Sequence, residues 1–237
     1  MLQAAGRVIM VSGANRGIGL AIARCLHAKG YSLSLGARDP DALQRATGDF
    51  VPERVLRHRY DAGDARDAAA WVDATAARFG RIDGLVNNAG IAPMARIEDA
   101  DEANLDALWA VNVKAPLRMI RLALPHLRRS GSGRIVNVSS LSGKRVKNEN
   151  AGYAMSKFAL MALTHSARQL AWADGVRATA VCPSFVATDM TAGVTKLARS
   201  EMIDPGDLAE IVALAIALPN TAAIAELLVN CRLEDTL

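Results

Sequence analysis

The chain is poor in the residues that would mark several other kinds of protein. Its 237 residues hold three cysteines, Cys25, Cys182 and Cys231. They are odd in number and far apart, with no C-x-x-C pair. No disulfide framework and no metal site are therefore expected, and a reducing, cytoplasmic setting is. Aromatic residues make up only 4% of the chain, and none is interleaved with the scattered basic residues. A nucleic-acid surface is not expected from such a pattern. No apolar run approaches the ~20 residues of a membrane span, so no membrane association is expected. The first run, Val8 to Val11, is too short and too early for the core of a secretion signal. No linker, internal repeat or low-complexity tract interrupts the chain, and residues 1–237 read as one domain.

What the chain does have is aliphatic weight. Half of it is apolar, mostly Ala, Val, Leu and Ile, the composition of buried strands under helices. Twenty-eight basic residues against 24 acidic ones leave a net charge of +4, a mild excess that suits an anionic ligand. Short apolar runs alternate with helical periodicity. Strands are expected at Arg7–Val11, Tyr31–Leu35, Val55–Tyr60 (broken by charge), around Leu85 and Val86, at Gly133–Val138, Arg177–Val181 and Ala225–Asn230. Helices are expected after each of the first six, including Asn104–Leu127 and Ala151–Trp172. This alternation predicts an α/β fold: a doubly wound parallel sheet of about seven strands, Rossmann-type, with helices on both faces.

The first strand runs into Ser12-Gly-Ala-Asn-Arg-Gly-Ile-Gly19 and then into a helix. Glycines let that turn fold sharply against a ligand, and the helix start offers N–H groups to a pyrophosphate. The spacing Gly13-x-x-x-Gly17-x-Gly19 differs from the commoner G-x-G-x-x-G, with like mechanics. A dinucleotide is the expected ligand. At the end of the second strand an NAD site wants a carboxylate, but Ala37 stands there, followed by Arg38, with Arg16 in the glycine turn. Two guanidiniums suit a 2′-phosphate, so NADP(H) is preferred over NAD(H). Asp39 would reverse that reading if it faced the ribose; with Pro40 after it, a helix cap is the favoured role. Asp61 is a candidate for the adenine amino group or an ordinary turn residue. Asn87-Asn-Ala-Gly90 closes the fourth strand as a tight turn or a close backbone approach to a ligand. Gly13, Asn87, Ser140 and Pro183 all fall at strand ends and are expected to share one crevice.

Tyr153 and Lys157 lie one helical turn apart, on one face. A phenol has a reference pKa near 10, and a neighbouring ammonium is expected to lower it. Such a pair can exchange a proton with a carbonyl or alcohol oxygen. Ser140, thirteen residues upstream, ends an apolar run where its hydroxyl can share that oxygen. Asn112 sits in the apolar setting Trp109-Ala-Val-Asn-Val113 and needs a partner. It is either a satisfied core amide or a helix distortion that holds a water.

Together, Ser12–Gly19, Asn87–Gly90, Asn112, Ser140, Tyr153 and Lys157 resemble the classical short-chain dehydrogenase/reductase family across nearly the whole chain. The resemblance implies an oxidoreductase that interconverts a carbonyl and a secondary alcohol. It implies Tyr153 as acid–base residue, Lys157 as its partner and ribose ligand, Ser140 on the substrate oxygen and Asn112 in a proton relay. It also implies a cofactor lining of Gly13, Asn15, Arg16, Gly17, Ile18, Gly19, Asp61, Asn88, Ala89, Gly90, Pro183, Val186 and Thr188, and a homodimer or homotetramer built on the two long helices. The chain departs from the family in Ser12, where Thr is usual, and in Ser184, where Gly usually follows Pro183. A short substrate lid is expected near 188–201. Met94, Leu141, Val146, Phe185 and Met190 are expected to make a partly apolar substrate pocket. The cluster Lys144, Arg145, Lys147 either attracts an acidic substrate or, the favoured reading, faces water. The alternatives are an NAD(H)-dependent dehydrogenase of the same family, a regulatory member that only binds cofactor, and an epimerase of the extended relatives, for which the chain is short.

Overall fold

The computed structural model describes residues 1–233. The order is β1 Val8–Ser12, α1 Gly17–Ala28, β2 Ser32–Ala37, α2 Pro40–Ala46, β3 Val55–Arg59, α3 Ala65–Phe79 and β4 Gly84–Asn87. It continues with α4 Ala103–Trp109, a π segment Ala110–Lys114, α5 Ala115–Arg129, β5 Arg134–Val138, α6 Ala151–Ala171, β6 Arg177–Pro183, α7 Pro205–Ala217 and β7 Glu226–Val229. The seven strands form one sheet in the order β3-β2-β1-β4-β5-β6-β7, and every pairing is parallel. The expected doubly wound α/β architecture is therefore the observed one.

The central strands β1, β5 and β6 are buried along their whole length, which is why they read as unbroken apolar runs. Their alternation still sorts side chains by face. Ile9 and Val11 point into a core shared with Ile22 and Leu26 of α1 and Leu208 and Val212 of α7. Met10 points the other way, into a core with Trp71 of α3 and Met119 and Leu127 of α5. The charge that interrupts β3 has a simple cause: β3 is an edge strand, and edges tolerate solvent and benefit from charge. Among the described residues no helix is long and apolar enough to cross a membrane.

Strand order reverses between β1 and β4, so the connections leave in opposite directions there. Such a switch point opens a crevice beyond the carboxyl ends of the strands. The glycine turn, the Asn87–Gly90 turn, Ser140 and Pro183 all follow strand ends on that side.

Candidate active site

The glycine turn is tied down from within. Gly13 and Ala14 donate their N–H groups to the Gly36 carbonyl at 2.8 and 3.2 Å. A Cβ on Gly19 would lie 2.2 Å from the Gly13 carbonyl oxygen and 2.4 Å from Asn88 Nδ2. No larger residue fits where α1 presses on the turn. Ser12 Oγ accepts the N–H groups of Asn88 and Ala89, both at 3.0 Å. Serine thus supplies the hydroxyl this position uses, and the departure at Ser12 costs no contact of that kind. Asn88 Nδ2 donates to the Ser12 and Gly13 carbonyls at 2.8 and 3.3 Å. Its amide holds the turn together, a role the sequence reading had not assigned to it.

The start of α1 differs from those of α2, α3, α6 and α7. Asp39, Asp64, Asn150 and Asp204 each accept a backbone N–H at the N-termini of α2, α3, α6 and α7. The first residue before α1, Arg16, makes no side-chain cap. The leading N–H groups of α1 are left to a ligand or water, as an anion site at a helix start requires. Thr188 stands beside this turn, its Cγ2 3.3 Å from the position a Gly17 Cβ would take. Gly17, Ile18, Asn15 and Pro183 border the same end of the sheet, and Asn15 and Ile18 are half-buried.

Cofactor-specificity residues are also placed. Ala37 is buried at the end of β2, and Arg38 is exposed beside it. Asp39 accepts the Ala42 N–H at 3.0 Å and caps α2, the favoured expectation. Arg16 is exposed and pairs with Asp189 at 3.2 Å. One Asp61 oxygen accepts the Gly63 N–H at 2.9 Å, the geometry of an ordinary turn.

The reacting end is compact. The Ser140 hydroxyl faces the Tyr153 phenol closely enough to favour its ionised form. Ser140 also begins a 3-10 turn, Leu141–Gly143, and accepts the Ser142 N–H at 3.1 Å. Ser139 is turned away, its hydroxyl donating to the Lys157 carbonyl, so Ser140 is the serine that meets the phenol. Lys157 is buried on α6, and its ammonium donates to the Val138 carbonyl at 3.0 Å. Its Nζ lies 5.6 Å from the centre of the Tyr153 ring and 3.8 Å from where a Gly90 Cβ would sit.

Here one expectation needs correcting. Tyr153 is half-buried. The protein packed around its hydroxyl pushes the phenol above its usual range, and Ser140 offsets only part of that. Lys157 does not supply the lowering, because its amine is drawn onto Val138. Lys157 is itself pulled down to about 8 by burial.

Asn112 is fully satisfied. Its Oδ1 accepts the Ile91 N–H at 3.0 Å, and its Nδ2 donates to the Ile91 carbonyl at 2.9 Å and to Ser156 Oγ at 3.1 Å. It also sits in the π segment. Both features expected of it, a satisfied core amide and a distorted helix, therefore occur together. Ser156 passes the link on, donating to the Tyr153 carbonyl at 2.8 Å. Sequence reasoning missed Ser156. The signal was present in the need of a buried amide for a polar partner. It also missed Asn150, whose Oδ1 accepts the Tyr153 N–H at 3.2 Å and thereby caps α6 at the phenol.

Three further residues are tied into the fold. The Val186 side chain is buried with the α1–α7 core. Leu141, expected in the substrate pocket, is instead buried against Met161, Ala180 and Cys182. Lys144 is not a free charge: its ammonium pairs with Glu226 at 2.8 Å. Met94, Val146 and Met190 are exposed, and Phe185 is half-buried under Lys196.

A family model described as short chain dehydrogenase matches residues 7–198. Among curated relatives, the agropine synthesis reductase of Rhizobium rhizogenes is 46% identical over 96% of this chain and 53% of its own length. The chain thus spans about half the length of these curated relatives. A solved metagenomic short-chain oxidoreductase in complex with NADP is 34% identical, with a TM-score of 0.84, over 98% of this chain and all of that one. A 3-ketoacyl-(acyl-carrier-protein) reductase from Brucella melitensis complexed with NADH is 26% identical, with a TM-score of 0.88, over 96% and 98% of the two chains.

Proposed function

Because this chain belongs to the short-chain dehydrogenase family, we propose that it is an NADP(H)-dependent oxidoreductase interconverting a carbonyl and a secondary alcohol. The observation that carries this reading is Ser140 facing Tyr153 beside a buried Lys157. All three stand at the carboxyl end of a sheet whose first helix begins uncapped.

Residues Gly13 to Gly19 would hold the pyrophosphate, with Ala89, Gly90 and Thr188 further along the crevice. When bound, the nicotinamide supplies or accepts the hydride. The chain supplies the proton. Tyr153 Oη donates it to the carbonyl oxygen in reduction and takes it back in oxidation. Ser140 donates a second hydrogen bond to the same oxygen and stabilises charge that develops there. The Lys157 ammonium carries three donors. One is spent on Val138, and the others serve the cofactor ribose. Asn112 and Ser156 hold the Tyr153 turn of α6 against the Ile91 backbone.

NADP is favoured by the neutral Ala37, the flanking Arg38 and Arg16, and the use of Asp39 as a helix cap. The residues 188–201, which begin against the glycine turn, serve as the lid. A dimer or tetramer would bury Leu117, Met155, Phe158, Leu170 and Trp172, exposed apolar residues on or beside α5 and α6. The deciding measurement is kcat/KM with NADPH and with NADH against a panel of acidic and neutral carbonyls. A clear NADH preference refutes the cofactor assignment. No turnover despite tight NADPH binding refutes the enzyme.

A further inference from the structure

We propose that Glu226 is a positioning residue for this site: it clamps the turn that carries Ser140 to helix α6, which carries Tyr153 and Lys157. The placement rests on geometry alone, and its consequence for turnover rests on the reading above.

Glu226 opens β7 at the sheet edge, yet both of its oxygens are engaged. Lys144 Nζ bonds Oε2 at 2.8 Å, and His165 Nε2 bonds Oε1 at 2.7 Å. Lys144 closes the 3-10 turn that Ser140 begins. His165 lies on α6, eight residues beyond Lys157. One carboxylate therefore grips the serine turn and the helix together. The Lys144 and Glu226 side chains are only 25% and 22% exposed, so the pair is screened less than an open surface pair.

The space between turn and helix has no slack of its own. A Cβ on Gly143 would lie 2.8 Å from the Lys157 carbonyl oxygen and 2.9 Å from Ser139 Oγ. The turn thus rests on α6 backbone to backbone there, with Leu141 packed on Met161 below it. Beneath it, the buried Cys182 thiol lies close to the Ser140 backbone and within electrostatic range of Glu226, Lys144 and Lys157. The clamp is therefore next to the floor of the site. A misplacement of about 1 Å costs up to about a hundredfold in rate, so a turn released from α6 loses turnover before it loses its fold.

The test uses the full chain with Glu226→Gln, Lys144→Met, the double variant and Lys144→Arg. Hydrogen exchange reads the amides of Gly143, Lys144 and Arg145, which donate to the Ser140 and Leu141 carbonyls. Their exchange is expected to quicken about tenfold in Glu226→Gln, an opening shift of one decade. Exchange unchanged at these amides overturns the clamp, whether or not a substrate is in hand. With a carbonyl that the wild type reduces, kcat is expected to fall about tenfold in either single variant, with NADPH affinity unchanged and the double variant no worse, as coupled partners behave. Lys144→Arg keeps the ion pair and most of the rate. Additive losses, or kcat unchanged while the melting point falls, would make Glu226 a structural residue only. A wild type that reduces nothing in the panel counts against the reductase reading, not against the exchange result.

Discussion

At the amino ends of its strands the sheet buries Arg7, Arg134 and Arg177 near Asp83; at the carboxyl ends it buries Lys157. The two groups are handled differently. Asp83 accepts four donors: the Val8 N–H at 2.9 Å, both Arg81 arms at 2.8 Å and Ser130 Oγ at 2.6 Å. Arg7 caps Ser132, and Arg134 binds the Gly133 and Leu218 carbonyls. Arg177 binds Trp172 and Asn220 and stacks on the Trp172 ring at 3.6 Å. Lys157, by contrast, has its ammonium on one carbonyl. A polar group tied to its neighbours by several bonds holds the fold together, even where one nitrogen, Arg7 Nε, finds no partner, while an ammonium with donors to spare is kept for a ligand. The difference separates stability from turnover along the length of one sheet.

The strongest challenge to that separation is Tyr153→Phe. Loss of an acid–base group costs about 10²–10⁴-fold in kcat. NADPH affinity and the melting point should barely move, as steady-state kinetics and thermal unfolding will show. Retained turnover would remove the mechanism.

At the other end, Asp83→Ala should do the reverse. It strips the acceptor from Ser130, the Val8 N–H and the half-exposed Arg81, and losing such a buried hydrogen-bonded group costs about 1–3 kcal/mol. Activity per folded molecule should stay level. The pH dependence has a definite sign. Burial pushes the Asp83 carboxyl up, but its hydrogen bonds from Arg81, Ser130 and Val8 outweigh this, and the net direction is down. Its stability contribution is therefore present above the unfolded value of about 3.9 and fades as pH falls further, through the folded value. The gap between wild type and variant in urea unfolding should hold from neutral pH to mildly acid conditions and narrow below that. A gap that widens in acid would contradict the assignment.

Lys157→Met tests both halves at once. Turnover should vanish, yet the fold should gain. Burial pulls Lys157 down to about 8, against about 10.4 in the unfolded chain. Between those values the unfolded chain binds more protons, so wild-type stability rises with pH there. Below the folded value the native state carries the full penalty. Removing the amine should stabilise the protein at pH 7 by about 1–2 kcal/mol, after the Val138 carbonyl loses its donor. The gain should shrink as pH climbs from 8 towards 10. A variant less stable than wild type at pH 7 would mean that Lys157 belongs with the arginines.

Much of this was legible before the coordinates, for local reasons. Buried strands read as apolar runs, the glycine turn declared its backbone, and the Asp39-Pro40 pair declared its cap. Nothing local, however, tells Lys144 that its partner is Glu226, 82 residues away. The same holds for Asn112 and Ser156, 44 apart. Leu141 reads as a pocket residue, and only its packing against Met161, Ala180 and Cys182 shows it in the core. The Tyr153–Lys157 spacing was read correctly as one face of a helix. The sequence could not show that the Val138 carbonyl would take the amine.

The finest division between the two roles falls on Asn150. Its Oδ1 accepts the N–H groups of Tyr153 and Ala95 at 3.2 and 3.1 Å, and its Nδ2 donates to the Pro93 carbonyl at 3.0 Å. It is a helix cap and also the anchor of the turn that carries the phenol. Asn150→Ala should cost about 1 kcal/mol as a lost cap. A cap that serves the helix alone would lower the melting point and leave kcat where it was. A cap that also sets the phenol should lower kcat several-fold while NADPH affinity holds, because Tyr153 Oη would lose register with Ser140 and nothing in the glycine turn would change. Thermal unfolding and kcat, measured on the same preparation, place Asn150 on one side of that line or the other.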